Sequence, residues 1–159
     1  MDKNALIRSV ISQLESELAV QTEAALGSKD EATNEESRAE DKYDMRSQSA
    51  AYLAAGQARI ASEIASAIAA WRSLVPRALG PGDEIAAGAL VTLEAKGGAS
   101  HYFLGPQSGG LVARDGDAAA TVVTAASPLG RQLLGRRAGD MVKISDRLGP
   151  VAHRVAAVE

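Results

Sequence analysis

Apolar residues recur every three or four positions along the first part of the chain. Leu6, Val10, Leu14 and Leu18 form one stripe at four-residue steps. This period is typical of an amphipathic helix. Gly27 follows the stripe, and glycine suits the left-handed conformation that closes many helices. The pattern therefore predicts a first helix that ends near Gly27.

A second helical pattern follows a short polar stretch. Thr33 stands three residues before Glu36, which is the spacing of a capping box at the start of a helix. A mostly apolar seam then recurs at three- and four-residue steps: Leu53, Gln57, Ile60, Ile64, Ala67, Ile68, Trp71 and Leu74. We expect a helix from Thr33 to about Ser73 that packs antiparallel on the first, as a helical hairpin or coiled coil. Because the first helix is the shorter of the two, part of the second must pack on the rest of the chain or on a partner.

Proline and glycine usage changes abruptly after residue 75. All five prolines and thirteen of the fifteen glycines lie beyond that point. Since both residues end helical patterns, they mark a boundary. The chain is therefore expected to comprise a helical hairpin over residues 1–75, a linker over 76–83 and a second domain over 84–159.

The second domain alternates short apolar runs with turn residues. Six runs predict strands, at residues 89–94, 100–104, 110–113, 120–124, 140–145 and 153–158. A short helix is expected at 129–134, between the fourth and fifth strands. These lengths favour a small, mostly antiparallel sheet with one helix packed on it. The fold class is therefore α+β.

Composition and charge narrow the classes of function. The net charge of −3 does not indicate a nucleic-acid-binding domain, so DNA binding is not expected. The absence of cysteine excludes disulfides and thiolate chemistry. No apolar run approaches the ~18 residues of a membrane span. We expect a cytoplasmic protein without a membrane partner.

Few residues suggest chemistry of the chain's own. His101 and His153 are isolated from each other and from acids, so we expect strand or surface residues and no metal site. The segment 105–110 is rich in glycine but lies between two predicted strands, which favours a hairpin turn over a phosphate-binding loop. We therefore expect no catalytic residues and no cofactor bound by the chain alone.

One segment carries a specific resemblance. Residues 127–140 contain Ser-Pro-Leu-Gly, then Leu-Leu-Gly, then Gly-Asp before the fifth predicted strand. This run resembles the C-terminal signature of the Gre-type (GreA/GreB-like) transcription elongation factors. Residues 84–93 are similar to the entry strand of the same domain. The resemblance implies an antiparallel coiled coil followed by an FK506-binding-protein-like (FKBP-like) domain.

The resemblance also implies a function. Members of that family bind bacterial RNA polymerase through the C-terminal domain and insert the coiled coil into the secondary channel. They are not enzymes, and at most they stimulate transcript cleavage by the polymerase, with nascent RNA near the tip. The implied docking residues here are Ser127, Pro128, Leu129, Gly130, Arg131, Arg136 and Arg137. For the three arginines, an alternative role is to complement the carbonyl end of the short helix.

Acidic residues near the expected hairpin tip are the candidates for a shared magnesium ion. They are Glu36, Glu40, Asp41 and Asp44, with the ion held through Asp41 and Asp44. Magnesium needs only one or two carboxylates beside water and phosphate. Like charges at four-residue steps, as at Glu36, Glu40 and Asp44, cost a helix roughly 0.2–0.5 kcal/mol per pair, which mildly favours a function. A solvated helix of mixed charge is the alternative reading.

The tip departs from the family pattern. The usual motif, an Asp followed three residues later by Glu-Asn, has no literal copy in this chain. A regulator that blocks the secondary channel without cleavage is therefore an alternative. A self-associating structural coiled coil is another. A peptidyl-prolyl isomerase is suggested only by the fold name, and the 3% aromatic content argues against a proline pocket.

Overall fold

The structure is a computed structural model that describes residues 1–33, 45–80, 82–146 and 149–159 of the 159-residue chain. It divides into two compact units. One comprises Met1–Ile11 with Ala69–Glu159, and the other is Ser12–Ile68. Within the described ranges, no helix is both long enough and apolar enough to cross a membrane. The predicted domain limits at residues 75 and 84 stay a prediction.

Three helices and six strands make up the described fold. The helices are α1 (Lys3–Thr33), α2 (Met45–Ser73) and α3 (Pro128–Leu133). The strands are β1 (Leu90–Ala95), β2 (Gly98–Gly105), β3 (Val112–Asp115), β4 (Ala118–Thr124), β5 (Met141–Asp146) and β6 (Gly149–Val158). The predicted α+β class, with a helical hairpin, a small sheet and one helix in the second domain, is confirmed.

The six strands form one sheet in the order β3-β4-β2-β1-β6-β5. The pairings are antiparallel except that of β2 with β4, which is parallel. The expectation of a mostly antiparallel sheet is therefore correct. The expected hairpin turn at residues 105–110 is wrong, because β2 and β3 are not neighbours. This segment instead carries the chain to the outer strand β3, from which it returns through β4 alongside β2.

One face of the sheet is covered by helix ends from the same unit. The Trp71 ring stacks on Phe103 of β2 with 5.9 Å between ring centroids. Trp71, Phe103 and Leu6 are completely buried. A Cβ added at Gly105 would overlap the Trp71 ring, so glycine is required for this close approach. This face therefore resembles the core of a globular domain in its packing.

The opposite face carries α3. Its buried cluster comprises Ile85, Ala89, Val91, Leu93, Leu104, Val123, Leu133, Val142, Val155 and Val158. Tyr102 and Leu129 pack partly against this cluster. Because side chains alternate along a strand, Tyr102 and Leu104 share this face while Phe103 points to the other. The helix covers only part of the face, and the uncovered part forms the site described below.

Both outer strands are hydrogen-bonded by side chains from helices. On β5, the side-chain oxygen of Gln132 accepts from the Lys143 N–H at 3.0 Å, and its amide nitrogen donates to the Lys143 carbonyl at 2.9 Å. On β3, the Arg114 N–H donates to the Ser9 hydroxyl at 3.1 Å. Each contact satisfies a backbone group that an edge strand would otherwise present to solvent.

The helix limits differ from the sequence prediction at two places. Helix α1 continues through Gly27 to Thr33, so Gly27 does not end it and Thr33 does not cap the next helix. One exposed glycine costs a helix about 1 kcal/mol, which the helix-forming Ala24, Ala25 and Leu26 before it offset. Helix α1 has 31 residues and the described part of α2 has 29; because residues 34–44 lie outside the described residues, the expectation that the first helix is the shorter stays a prediction. The predicted end of α2 at Ser73 is confirmed.

The hairpin unit has a thin seam. Leu53 and Ile60, which the sequence places in the seam, are 56% and 39% exposed. The predicted seam residues Gln57 and Ile64 are half-buried and Ala67 and Ile68 are buried, and Ala54 and Ala61 are half-buried beside them. In α1, Leu14 is buried, and Leu18, Gln21 and Ala25 are half-buried. These positions alternate at steps of three and four, which is the coiled-coil period. The seam therefore follows the predicted positions except at Leu53 and Ile60, where the neighbouring Ala54 and Ala61 are half-buried instead.

Candidate protein-docking groove

Helix α3 begins where strand β4 ends, and Ser127 makes the junction. Its backbone is extended, and its hydroxyl oxygen accepts a hydrogen bond from the Gly130 N–H at 3.0 Å. The same hydroxyl donates to the Thr124 carbonyl at 2.8 Å. Pro128 occupies the first helical turn, where its fixed φ suits the helix and no N–H is needed. The Ser-Pro pair therefore starts α3 and ties it to the end of β4.

Gly130 lets α3 lie directly against the sheet. It is buried, and a Cβ at this position would overlap the carbonyl oxygen of Thr124. Since that oxygen belongs to the backbone, no side-chain rotation relieves the overlap. The glycine of the Ser-Pro-Leu-Gly run therefore fixes how closely α3 approaches β4.

A groove of about 750 Å³ opens between α3 and the uncovered part of the sheet; we call it the α3 groove. Its lining comprises Tyr102, Gly109, Gly110, Thr121, Val122, Val123, Thr124, Ser127, Pro128, Leu129, Gln132, Lys143 and Ile144. The helix forms one wall, and Lys143 and Ile144 of β5 form another part of the lining. The lining combines apolar side chains with hydroxyl and amide groups. Such a surface suits the burial of apolar side chains from a partner.

The structure places the predicted docking residues in two groups. Ser127, Pro128 and Leu129 line the α3 groove, and Gly130 is buried beneath them. The three arginines do not line it. Whether any of the seven contacts a partner stays a prediction.

Two of the arginines already have partners within the chain. The guanidinium of Arg131 donates to the Ala126 carbonyl at 2.5 Å. Arg137 forms an ion pair with Glu84 at 2.9 Å, in which both side chains are more than half exposed. Arg136 is exposed. An incoming carboxylate would compete with these existing bonds at Arg131 and Arg137.

Sequence patterns alone do not identify Tyr102, Gln132 and Lys143 as residues of the groove. Tyr102 is two residues before Leu104 on β2, so the alternation of side chains places both on the face of the sheet that carries α3. Gln132 follows Leu129 by three residues and therefore shares its helical face. No local pattern indicates that Lys143 lies beside α3, because this position depends on the hydrogen bonds from Gln132.

The candidate tip acids Glu36, Glu40, Asp41 and Asp44 lie outside the described residues. The shared magnesium site through Asp41 and Asp44 therefore stays a prediction. Among the residues that the structure does describe, no group of three or more His, Asp or Glu side chains is placed to hold a metal ion.

The two histidines lie on strands, as the sequence suggests. His101 of β2 has its Nδ1 3.1 Å from the Thr92 hydroxyl on the neighbouring strand β1. His153 of β6 has its Nδ1 3.0 Å from the Val151 carbonyl. Because a carbonyl oxygen only accepts, the Nδ1 of His153 is the donor in that contact.

The chain is similar to several solved structures. Gfh1, the GreA factor homologue 1 of Thermus thermophilus, is 21% identical over 94% of each chain, with a TM-score of 0.39. The Gfh1 of Thermus aquaticus is 25% identical over 93% of this chain and 92% of its own, with a TM-score of 0.40. The elongation factor GreA/GreB of Nitrosomonas europaea is 20% identical over 65% of this chain and 78% of its own, with a TM-score of 0.36.

The three solved structures are of Gre-type proteins, the family whose C-terminal signature residues 127–140 resemble. No family model and no curated protein matches this chain. The fold described above rests on the strand order and register of the chain itself, and the FKBP-like description of the sheet stays a prediction.

Proposed function

We propose that this protein is a Gre-like transcription factor that docks on bacterial RNA polymerase through the α3 groove. Its helical hairpin enters the secondary channel and modulates elongation, in the cytoplasm where the polymerase acts. The chain supplies no catalytic group of its own. With competent tip acids it stimulates the polymerase to cleave its own transcript, and without them it blocks the channel.

The observation that carries this proposal is the place of the signature segment in the fold. Ser127, Pro128 and Leu129 form a wall of the α3 groove, and Gly130 sets the distance between that wall and the sheet. The first part of the segment that resembles Gre-type factors, Ser127–Gly130, therefore shapes the groove. Its one aromatic residue among those described is Tyr102, which suits protein docking better than the aromatic pocket that a prolyl isomerase needs.

Magnesium would be shared with the polymerase and held by Asp41 and Asp44. Carboxylate oxygens are the hard ligands that this ion prefers, and one or two are enough when phosphate and water complete the shell. Glu36 and Glu40 would add negative charge beside it. The chain's own part is to bring these carboxylates to the channel.

The test uses purified backtracked elongation complexes with magnesium present. Binding is measured by competition with a labelled secondary-channel factor, and cleavage by the length of the RNA. We expect Leu129→Ala to weaken binding about tenfold, because truncating a central apolar anchor costs roughly 1–2 kcal/mol. The matched control is Leu134→Ala, since Leu134 is 41% exposed and does not line the groove.

The tip acids are tested separately in the same assay. We expect Asp41→Asn with Asp44→Asn to leave binding unchanged and to abolish any cleavage. Wild-type protein that binds without cleavage identifies the blocking regulator. No binding of wild-type protein to the polymerase would refute the proposal.

A second candidate function is self-association through the hairpin. Tyr52 and Leu53 on α2 are 79% and 56% exposed, which leaves two large apolar side chains of one helix uncovered. If the chain self-associates, sedimentation should show a mass that rises with concentration, and Leu53→Lys should abolish the rise. A constant monomer mass of 16.4 kDa would remove this candidate.

A further inference from the structure

Gln132 connects helix α3 to strand β5 within the lining of the α3 groove. Its amide nitrogen donates to the Lys143 carbonyl at 2.9 Å, and its side-chain oxygen accepts from the Lys143 N–H at 3.0 Å. Ile144, the next residue of β5, belongs to the same lining. The two hydrogen bonds therefore join the helical wall to the strand directly beside Ile144.

The contact uses the backbone of Lys143 and leaves its side chain out. Lys143 pairs with Ala152, and Ile144 pairs with Val151, in the register of β5 and β6. Because side chains alternate along a strand, the Lys143 side chain lies on the face of the sheet opposite to that of Ile144. Lys143 therefore lines the groove through its peptide groups, which Gln132 binds.

Helix α3 depends on contacts of this kind for its position. It has six residues, and a helix shorter than about 12 residues is marginal in water by itself. The side chains of Ser127 and Arg131 donate to the carbonyls of Thr124 and Ala126, at or just after the end of β4. The hydrogen bonds of Gln132 lead to β5 instead. They restrain α3 relative to β5, whereas the others restrain it relative to β4.

We propose that Gln132 is a positioning residue for docking. By holding α3 relative to β5, it keeps Leu129 and Ile144 at the separation at which the α3 groove accepts its partner. A wall that is already held in place loses less conformational freedom on binding, so this preorganisation raises affinity. The inference rests on the proposed function, because it takes RNA polymerase as the partner.

The first variant removes the two hydrogen bonds and keeps the length of the side chain. Gln132→Met should weaken binding of the full chain to core RNA polymerase about fivefold in the competition assay. In the free protein, hydrogen exchange at the Lys143 amide should become at least about tenfold faster, because this N–H loses its acceptor. The matched control is Gln107→Met, which should change neither, since Gln107 is exposed and does not line the groove.

A second variant distinguishes positioning from packing. In Gln132→Glu, the charged carboxylate has no donor, so one of its oxygens faces the Lys143 carbonyl without a proton between them. The protonated acid has one donor and one acceptor, as the carboxamide has. The facing carbonyl oxygen should raise the pKa of the new carboxyl above its ordinary value of about 4.3. Slow exchange at the Lys143 amide should therefore return as the pH falls from about 8 to about 5.

The cations of the two joined elements do not reverse this pKa shift. Arg131 of α3 donates to the Ala126 carbonyl, and the Lys143 ammonium lies on the other face of β5. Gln132→Met gains no proton in this range. Its exchange at Lys143, compared at each pH with that of an unstructured peptide, should stay fast throughout.

The outcomes separate this inference from the proposed function. If the polymerase binds wild type and Gln132→Met with equal affinity, the inference is wrong and the proposed function stands. The inference is also wrong if binding weakens while exchange at Lys143 stays slow, or if exchange in Gln132→Glu shows no recovery at low pH. If the polymerase does not bind wild type, the proposed function is refuted, and the role of Gln132 in docking is refuted with it.

Discussion

The two units of this protein are stabilised in different ways. In the sheet unit, Trp71, Phe103 and Leu133 are completely buried, and buried side chains lie on both faces of the sheet. In the hairpin unit, the buried apolar side chains among those described are Leu14, Ala67 and Ile68. Large side chains such as Tyr52 lie on its surface.

This difference shows which part of the chain has a core of its own. Burial of large apolar side chains is the dominant favourable term in folding, and the sheet unit has most of it. The hairpin relies more on helix propensity and on a seam of alanine, glutamine and a few aliphatic residues. We therefore expect local opening to cost less free energy in the hairpin than in the sheet. The following predictions test that contrast, from the largest effect to the smallest.

The largest effect is expected where an aromatic residue is removed from the sheet unit. Trp71→Ala should lower the free energy of unfolding by about 3–5 kcal/mol, because it leaves a cavity against Phe103 and Gly105. Tyr52→Ala in the hairpin is the matched control and should change it by less than about 0.5 kcal/mol. Denaturant unfolding of both variants is the measurement. Similar losses in the two variants would contradict the contrast.

The next largest loss of stability is expected where one methyl group is added to α3, at Gly130. Gly130→Ala should destabilise the sheet unit by about 1–3 kcal/mol, since the new Cβ would overlap the Thr124 carbonyl oxygen. Gly97→Ala is the control, because nothing lies within 4 Å of a Cβ there. Thermal melts followed by near-ultraviolet circular dichroism report the loss. A Gly130→Ala protein as stable as wild type would mean that α3 lies further from β4 than described.

A glycine-to-alanine substitution in the hairpin should instead raise the stability of the protein. Gly27 lies inside α1 with no atom within 4 Å of an added Cβ. Gly27→Ala should therefore stabilise the helix by about 0.8–1 kcal/mol. Slower amide hydrogen exchange at residues 18–26 is the measurement. Gly56→Ala in α2 provides an independent repeat, and unchanged exchange in both variants would count against the helix continuing through Gly27.

The smallest effect is a dependence on pH. Burial lowers the pKa of Lys3, and the nearby Glu159 carboxylate partly offsets the shift. In the window between this lowered pKa and the ordinary value of 10.5, the unfolded chain binds more protons, so the stability of the fold should rise with pH. Lys3→Met should remove that rise. The difference in unfolding free energy between wild type and variant is measured from pH 8 to 10.5, and a difference that stays constant would mean that Lys3 keeps its ordinary pKa.

The sequence predicts local structure better than it predicts long-range pairing. Alternating apolar runs identify the six strands, and the Ser127-Pro128 pair identifies the start of α3. The parallel pairing of β2 with β4 has no local signal, because it depends on the path taken by β3. The groove follows from that pairing, which brings Tyr102 beside Thr121. The sequence therefore indicates the groove only in part, through Ser127, Pro128 and Leu129.

The hairpin shows a different kind of error. Gly27 disfavours a helix locally, but the helix-forming Ala24, Ala25 and Leu26 before it outweigh that preference. The seam prediction chose Leu53 and Ile60 because they are large and apolar. The burial pattern instead favours Ala54 and Ala61, whose small side chains allow helices to approach closely. Size and hydropathy alone do not decide which face of an alanine-rich helix is buried.

The hydrogen bonds between Gln132 and Lys143 also bear on how this protein behaves when it is concentrated. A carboxamide offers one donor and one acceptor, as a peptide group does, so Gln132 stands where a residue of a seventh strand would pair. A β-strand from another molecule can add to β5 only by displacing it. Gln132, which lines the α3 groove, thus also protects this part of the β5 edge against pairing with a strand of another molecule.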